Sequence, residues 1–413
     1  MQNERPESGF FSKLTLMGFS TLFRMLNSAI LLIIIARYLG VEQFGALAFF
    51  QSICFILILI VEFGFTNQLL KDISEKKNKV NALVSEAFVI KSFLAIPFII
   101  IIATFDYFYN KELESSYILF FIAASTLFTS FGDFFNIPHR ALNNYGKETL
   151  IVFLSTVVVF VTVYLVLKEY ASLYAVVLAL TFSRLFYCLI SYYSFITNSG
   201  KIKFDFKFGY LLSRINRNKY FAFDVWIVGL RRHSDVILVN TFFDPSVVGI
   251  YQAGMNLCKI ERFGPVVANV FLPKLSYQKA SEDIVGFNQS NRVLNIILNS
   301  TGLSIFIVLF FYSNEIVDLI YGDAYKSLSN LLPYFGVFIV VRFYTISKEV
   351  VITAKGLQKN KTQIGFFTFC VFITLAFIFT PYLNLYGLLI SHIAAGIFLA
   401  CFLNLSNNKN KLA

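Results

Sequence analysis

Four polar residues interrupt an apolar stretch at WIVGLRRHSDVILV, residues 226–239: Arg231, Arg232, His233 and Asp235. On a helix either arginine reaches the carboxylate, since the spacings are four and three residues. One carboxylate pairs well with one guanidinium, so a positive charge is left over. A second group follows in KIER, residues 259–262. Lys259 and Arg262 share a helix face there, with Glu261 turned about 100° away. Arg24 stands in a third apolar stretch. Arginine presents a planar fork of donors that fits phosphate oxygens two at a time. Together these residues leave an excess of positive charge suited to an anion. Asp224, Asp235 and Glu261 are the acids on the same segments, fitted either to ion pairing or to coupling an ion. His233 could couple a proton, histidine being the side chain whose ordinary range reaches neutral pH, although a lone histidine more commonly fills a polar site.

Which elements hold these residues depends on whether the segments lie in water or in lipid. The chain is 57% hydrophobic and 14% charged, with a mean hydropathy of +0.68. Soluble domains carry roughly 25% charged residues. Fifty phenylalanines and one tryptophan in 413 residues suit a lipid-facing surface. The first residues, MQNERPESGFFSK, lack the basic-then-apolar layout of a cleaved signal peptide. Cys54, Cys188, Cys258, Cys370 and Cys401 stand singly in apolar runs. They form no metal spacing and read as small hydrophobes. No metal or cofactor is expected.

A bilayer core of about 30 Å needs roughly 20 apolar residues per helix. Helices are predicted near 12–36, 44–65, 80–105, 116–136, 149–167, 173–197, 218–242, 246–273, 289–312, 328–350, 362–380 and 384–404. The expected fold is therefore an all-α integral membrane protein with twelve transmembrane helices in two six-helix lobes. The lobes are residues 1–197 and 218–413, joined by a basic linker at 198–217. Positive charge orients the array. With the N-terminus in the cytoplasm, the outer loops hold only Arg37, Lys111, Lys168 and Lys326. The inner stretch 199–219 alone holds Lys201, Lys203, Lys207, Arg214, Arg217 and Lys219. Both termini are then cytoplasmic. The net charge of +11 reflects this asymmetry and not a nucleic-acid face.

Some charges remain inside the spans. Lys348, Glu349 and Glu86 lie near helix ends and snorkel, and Lys91 is placed to do the same. Arg24, Arg231, Arg232, Lys259, Arg262 and Arg342 are too deep for that. Each costs about 2.5–3.5 kcal/mol at the bilayer centre, so they must face the interior of a bundle, paired or hydrated. Asp133 and Arg184 read as ties between helices. Pro97, Pro265 and Pro333 fall within spans, and a bend is expected at Pro265.

The two halves echo each other. ARYLGVEQFGALAFF (36–50) and NTFFDPSVVGIYQAG (240–254) align at a shift of 204, with Phe44-Gly45 on Val248-Gly249. RALNNYGKETLI (140–151) and AKGLQKNKTQI (354–364) align at a shift of 214, with Lys147 on Lys361. Two echoes at corresponding places indicate an internal duplication. Such repeats are related by an axis along the membrane normal and enclose a midplane site.

LGVEQFGALAFFQSI, EFGFTNQLLKDIS (62–74), DVILVNTFFDPSVVGIYQAGMNLCKIERFG (235–264) and LIYGDAYKS (319–327) carry a resemblance. Over nearly the whole chain the sequence resembles the polysaccharide exporters. It is most similar to the O-antigen flippases (Wzx type) of the multidrug/oligosaccharidyl-lipid/polysaccharide superfamily. The resemblance implies a V-shaped bundle around a central cationic cavity, formed chiefly by helices 1, 2, 7 and 8. It implies transfer of undecaprenyl-diphosphate-linked oligosaccharide from the inner to the outer leaflet of a bacterial inner membrane. The implied partners are that lipid-linked oligosaccharide, membrane lipids, and the polymerase and chain-length regulator of the same pathway. Arg24, Arg231, Arg232, Lys259 and Arg262 would line the cavity.

Two other readings compete. A multidrug or cation antiporter of the same superfamily would need acids where this chain has a surplus of arginine. A polytopic polymerase or glycosyltransferase would show a large outer loop. Here the outer loops are short, and no DxD, HExxH, P-loop or CxxC motif occurs.

Overall fold

A computed structural model describes residues 8–109, 113–202 and 208–409, with backbone alone at 8–26, 113–114, 208–221, 224 and 408–409. Every regular element among them is helical. That is the form an apolar chain must take where no water satisfies its backbone. The first half comprises α1 (Ser8–Glu62), α2 (Phe65–Glu75), α3 (Val80–Tyr109), α4 (Leu113–Ala141), α5 (Tyr145–Tyr170) and α6 (Leu173–Ser199). The second comprises α7 (Phe208–Phe242), α8 (Pro245–Cys258), α9 (Phe263–Ala280), α10 (Ile284–Phe311), α11 (Ser313–Ile320), α12 (Leu332–Ala354) and α13 (Gln358–Lys409).

Local chemistry sets the breaks. α1 is two helices meeting at Gly40, where φ is 75°, a conformation that costs glycine little. α13 is likewise broken at Asn384, with φ 53°. Only five residues separate the cores predicted for α5 and α6, and they suffice. Ala171 turns left-handed at the end of α5, and the Ser172 hydroxyl accepts the N–H of Ala175 at 3.3 Å to start α6. Asp244 and Pro245 open α8, with proline in the first turn, where its missing N–H costs nothing. Asp283 caps α10 through the N–H of Gly286 at 2.8 Å. Pro333, expected within a span, lies in the first turn of α12.

Among the described residues, seven helical segments are long and apolar enough to cross a membrane. Two of these contain the breaks at Gly40 and Asn384. α7, α8 with α9, and α12 carry the additional charges, and with them the spans number about twelve. α7 begins at Phe208, well before the expected 218. Exposed rows such as Ile96, Ile99 and Ile100 on α3 and Val161 and Leu165 on α5 form lipid-facing surface. The break at Gly40 and the cap at Asp244 are themselves matched by the 204-residue shift. The chain divides into two compact units, one of Met1–Leu39 and Ala46–Ile237, the other of Gly40–Gly45 and Leu238–Ala413. In the first, Phe65, Leu69 and Ile73 of α2 pack against Val84 and Ile90 of α3, Phe134 and Phe135 of α4, and Phe195 of α6. In the second, Ile352 of α12 meets Leu399 and Leu403 of α13.

Candidate functional site

In the second unit the expected helix 246–273 is not continuous. α8 ends at Cys258, residues Lys259–Arg262 form a 3-10 turn, and α9 starts at Phe263. Pro265 explains the interruption. It lacks an N–H, and its ring crowds the carbonyl of Glu261, four residues earlier. Gly264 is buried next to Ile346, and a Cβ there would come within 2.7 Å of that side chain.

The turn arranges charge. With three residues per turn, positions i and i+3 eclipse, so Lys259 and Arg262 stand one above the other, within electrostatic reach. Lys259 is half-buried and Arg262 exposed. Glu261 faces α12, where its Oε2 accepts from Nε of Arg342 at 2.9 Å. Arg342 also lies in the field of Glu349, and Glu349 in turn stands 3.7 Å from Lys361. Lys348 donates to Asn295 at 3.1 Å and covers the Tyr344 ring. Glu261 and Glu349 are engaged by Arg342 and Lys361, and Lys259 and Arg262 stand beside them on the turn, so basic side chains outnumber acids in this cluster. Anion recognition is the chemistry such a surplus supports.

The α7 candidates lie in the first unit. Arg231 is half-buried, Arg232 exposed and Asp235 buried. Asp235 accepts the N–H of Val236 at 2.9 Å. His233 packs its ring 4.9 Å from that of Phe55. Trp226 donates to the carbonyl of Leu59 at 2.9 Å, which ties this part of α7 to the end of α1. Arg24 and Asp224 sit on α1 and α7, but their side chains lie outside the described residues. The structure therefore brings together Lys259, Glu261, Arg262 and Arg342 in one unit, and places Arg231, Arg232 and Asp235 in the other.

A polar cluster in the first unit was not legible from sequence. Lys91, expected to snorkel, is only 3% exposed. Its ammonium donates to the Ser130 hydroxyl at 2.7 Å and lies over the rings of Phe131 and Phe134. Lys91 is held between the fields of Glu62 and Asp133. Asp133 accepts from the Tyr187 hydroxyl at 2.7 Å, and that oxygen accepts from Asn136 at 3.1 Å. Arg140 pairs with Glu148 at 2.6 Å. Lys91 fails to snorkel because two carboxylates on other helices compensate it where it stands. Only the charged residues falling within predicted spans hinted at this.

A family profile described as "Polysaccharide biosynthesis protein" matches residues 12–274. The chain belongs to this family. The matched stretch contains all five cationic candidates, both turns of the first echo and the 3-10 turn. Arg342 lies beyond it. No curated protein sequence matches this member of the family. Solved structures share its fold. A multidrug resistance MATE family transporter of the MOP superfamily, in an inward-facing conformation, aligns with a TM-score of 0.77 at 14% identity, covering 97% of this chain and 99% of that one. The lipid II flippase MurJ, in an inward closed conformation, aligns at 0.72 with 16% identity, over 95% and 87% of the two chains. A MOP superfamily transporter from Pyrococcus furiosus, whose binding pocket is described as reversed in polarity, aligns at 0.57 with 14% identity, over 93% and 95%. This polysaccharide biosynthesis protein is a multi-pass membrane protein of the MOP fold, which it shares with these transporters and this flippase.

Proposed function

We propose that this protein is a flippase that moves undecaprenyl-diphosphate-linked oligosaccharide, an O-antigen or related surface-polysaccharide repeat unit, from the cytoplasmic to the periplasmic leaflet of the bacterial inner membrane by alternating access. The observation that carries the reading is the 3-10 turn. Lys259 and Arg262 share one side of it, and its one acid is engaged by Arg342. A diphosphate carries about two negative charges, and only compensating positive charge offsets its desolvation. Arg24, Arg231 and Arg232 supply further cations. Asp224, Asp235 and Glu261 are the coupling or pairing acids, and Glu261 pairs with Arg342. The family's printed role and the lipid-linked substrate in MurJ's name support the same class of cargo. The multidrug reading draws on fold likeness alone. It would want acids in surplus at the turn, where bases prevail.

The decisive experiment uses purified protein in vesicles carrying undecaprenyl-diphosphate-linked sugar in both leaflets, with an external glycosidase as reporter of leaflet. Wild-type protein should render the inner pool cleavable within minutes, while empty vesicles keep about half of it protected. Protection that persists with correctly inserted protein rejects the flippase reading.

The orientation is checked separately. Reporter fusions after Lys111, Lys168 and Lys326 should read outside, and those after Lys77, Lys207 and Lys359 inside. An outside signal at Lys207 would reverse the assignment, because its loop carries six basic residues.

A further inference from the structure

α12 carries charge on two sides. Arg342 and Glu349, seven residues apart, share one side and are matched there by Glu261 and Lys361. Tyr344, Lys348 and Lys355, at spacings of four and seven, share another. On this second side the lysines meet amides. Lys348, half-buried, donates to Oδ1 of Asn295 on α10 at 3.1 Å and lies 4.8 Å from the centre of the Tyr344 ring. Asn295 also accepts from Ser347 at 2.8 Å and donates to Oδ1 of Asn291 at 2.7 Å. The Tyr344 hydroxyl accepts from Asn404 on α13 at 3.0 Å. Lys355 donates to the carbonyl of Asn407 at 3.3 Å and lies over the Phe287 ring. Among the described residues no carboxylate stands within ion-pair distance of Lys348.

Amides and rings make a buried ammonium tolerable, but they leave its charge uncancelled. This charge borders lipid. Ile296 and Ile297, which follow Asn295 on α10, and Phe402 and Leu405, on either side of Asn404 on α13, are all exposed. Lys355 stands just past the end of α12, and Lys348 lies about 10 Å deeper along the helix. The pair thus spans the headgroup layer, which adds about 5–7 Å to each side of the hydrocarbon core. Basic sites between membrane helices recruit anionic headgroups. We propose that the junction of α10, α12 and α13 holds an anionic glycerophospholipid of the phosphatidylglycerol kind, drawn from the leaflet on the side where α12 ends. Lys355 and Lys348 answer its negative charge, and the surrounding amides and the Tyr344 hydroxyl answer its glycerol hydroxyls and ester carbonyls. The site is separate from the cationic turn at 259–262 and does not depend on the cargo proposed above.

Native mass spectrometry of the purified protein in detergent, titrated with palmitoyl-oleoyl phosphatidylglycerol or the matching phosphatidylcholine, tests the site. One phosphatidylglycerol should be held at least about tenfold more tightly than phosphatidylcholine. Lys348→Gln and Lys355→Gln should each weaken it about fivefold, the worth of one lysine at an anionic membrane surface. Lys348→Arg should hold it as wild type does. Lys359→Gln, which removes the same charge from an exposed position, should also leave it unchanged. Lys355→Gln, at the helix end, carries the test alone if Lys348→Gln does not fold. Equal binding of the two lipids, or wild-type binding by the glutamine variants, overturns the proposal. So does equally tight binding of soluble glycerol phosphate, which would make this a site for a free anion. No cargo is present, so the result is independent of the transfer assay.

Discussion

An Arg262→Gln variant is expected to insert normally, accumulate lipid-linked repeat units in the inner leaflet, and export surface polysaccharide at least about a hundredfold more slowly, the equivalent of roughly 2.7 kcal/mol. Arg262 is exposed on the 3-10 turn, directly over Lys259. Removing it leaves Lys259 as the turn's remaining cation beyond the Glu261–Arg342 pair. Arg262→Lys should retain part of the activity, because it keeps the charge and loses the two-pronged fork. The inside-negative potential favours outward movement of an anion by roughly 2.3 kcal/mol per charge per 100 mV. Cationic side chains that travel with the cargo reduce that drive, so a coupled ion at Asp235 or Glu261 would supplement it. Quantifying lipid-linked units by leaflet in the Arg262→Gln strain checks the idea. If the units never form, the protein acts in their synthesis; if they are exported at the normal rate, the turn does not hold the diphosphate.

The second large effect concerns stability. Lys91→Met should lower the unfolding temperature in detergent by roughly 2–10 °C, corresponding to about 1–3 kcal/mol for leaving buried polar partners without their compensating charge. The ammonium is almost fully enclosed and answers both Glu62 and Asp133. Its loss strands two carboxylates among helices with no water to receive them. Combining Lys91→Met with Glu62→Gln and Asp133→Asn should restore most of the loss, since a neutral polar cluster is tolerated where an unbalanced one is not. A single variant as stable as wild type, measured by thermal shift, would show that Lys91 does not hold this cluster together.

The helices were legible in the sequence because the bilayer imposes one length and one composition on every span. Their breaks were legible too where a residue has a backbone preference. The bend expected at Pro265 is the 3-10 turn, and the echo at Gly40 and Asp244 falls on two real helix boundaries. The start of α7 was not, since the polar run before residue 218 hid the fact that it continues as helix from Phe208. The cationic character of residues 259–262 could be read, but the pairing of Glu261 could not. Its partner Arg342 is 81 residues away, and one helix's periodicity does not reveal which neighbour it meets. Lys91 failed for the same reason. Snorkelling is the default for a lysine near a helix end, and only Glu62, Ser130 and Asp133 from elsewhere in the fold make staying inside cheaper.

The reciprocal seat of Gly45 and Gly249 has a bearing on how such a molecule ages. A Cβ on Gly45 would overlap the carbonyl oxygen of Pro245, and one on Gly249 that of Val41. Here the echoed segments touch through carbonyls and α-carbons, which every amino acid supplies. Substitution can therefore change side chains on either segment with little effect on this contact, provided Gly45 and Gly249 stay free of a methyl group.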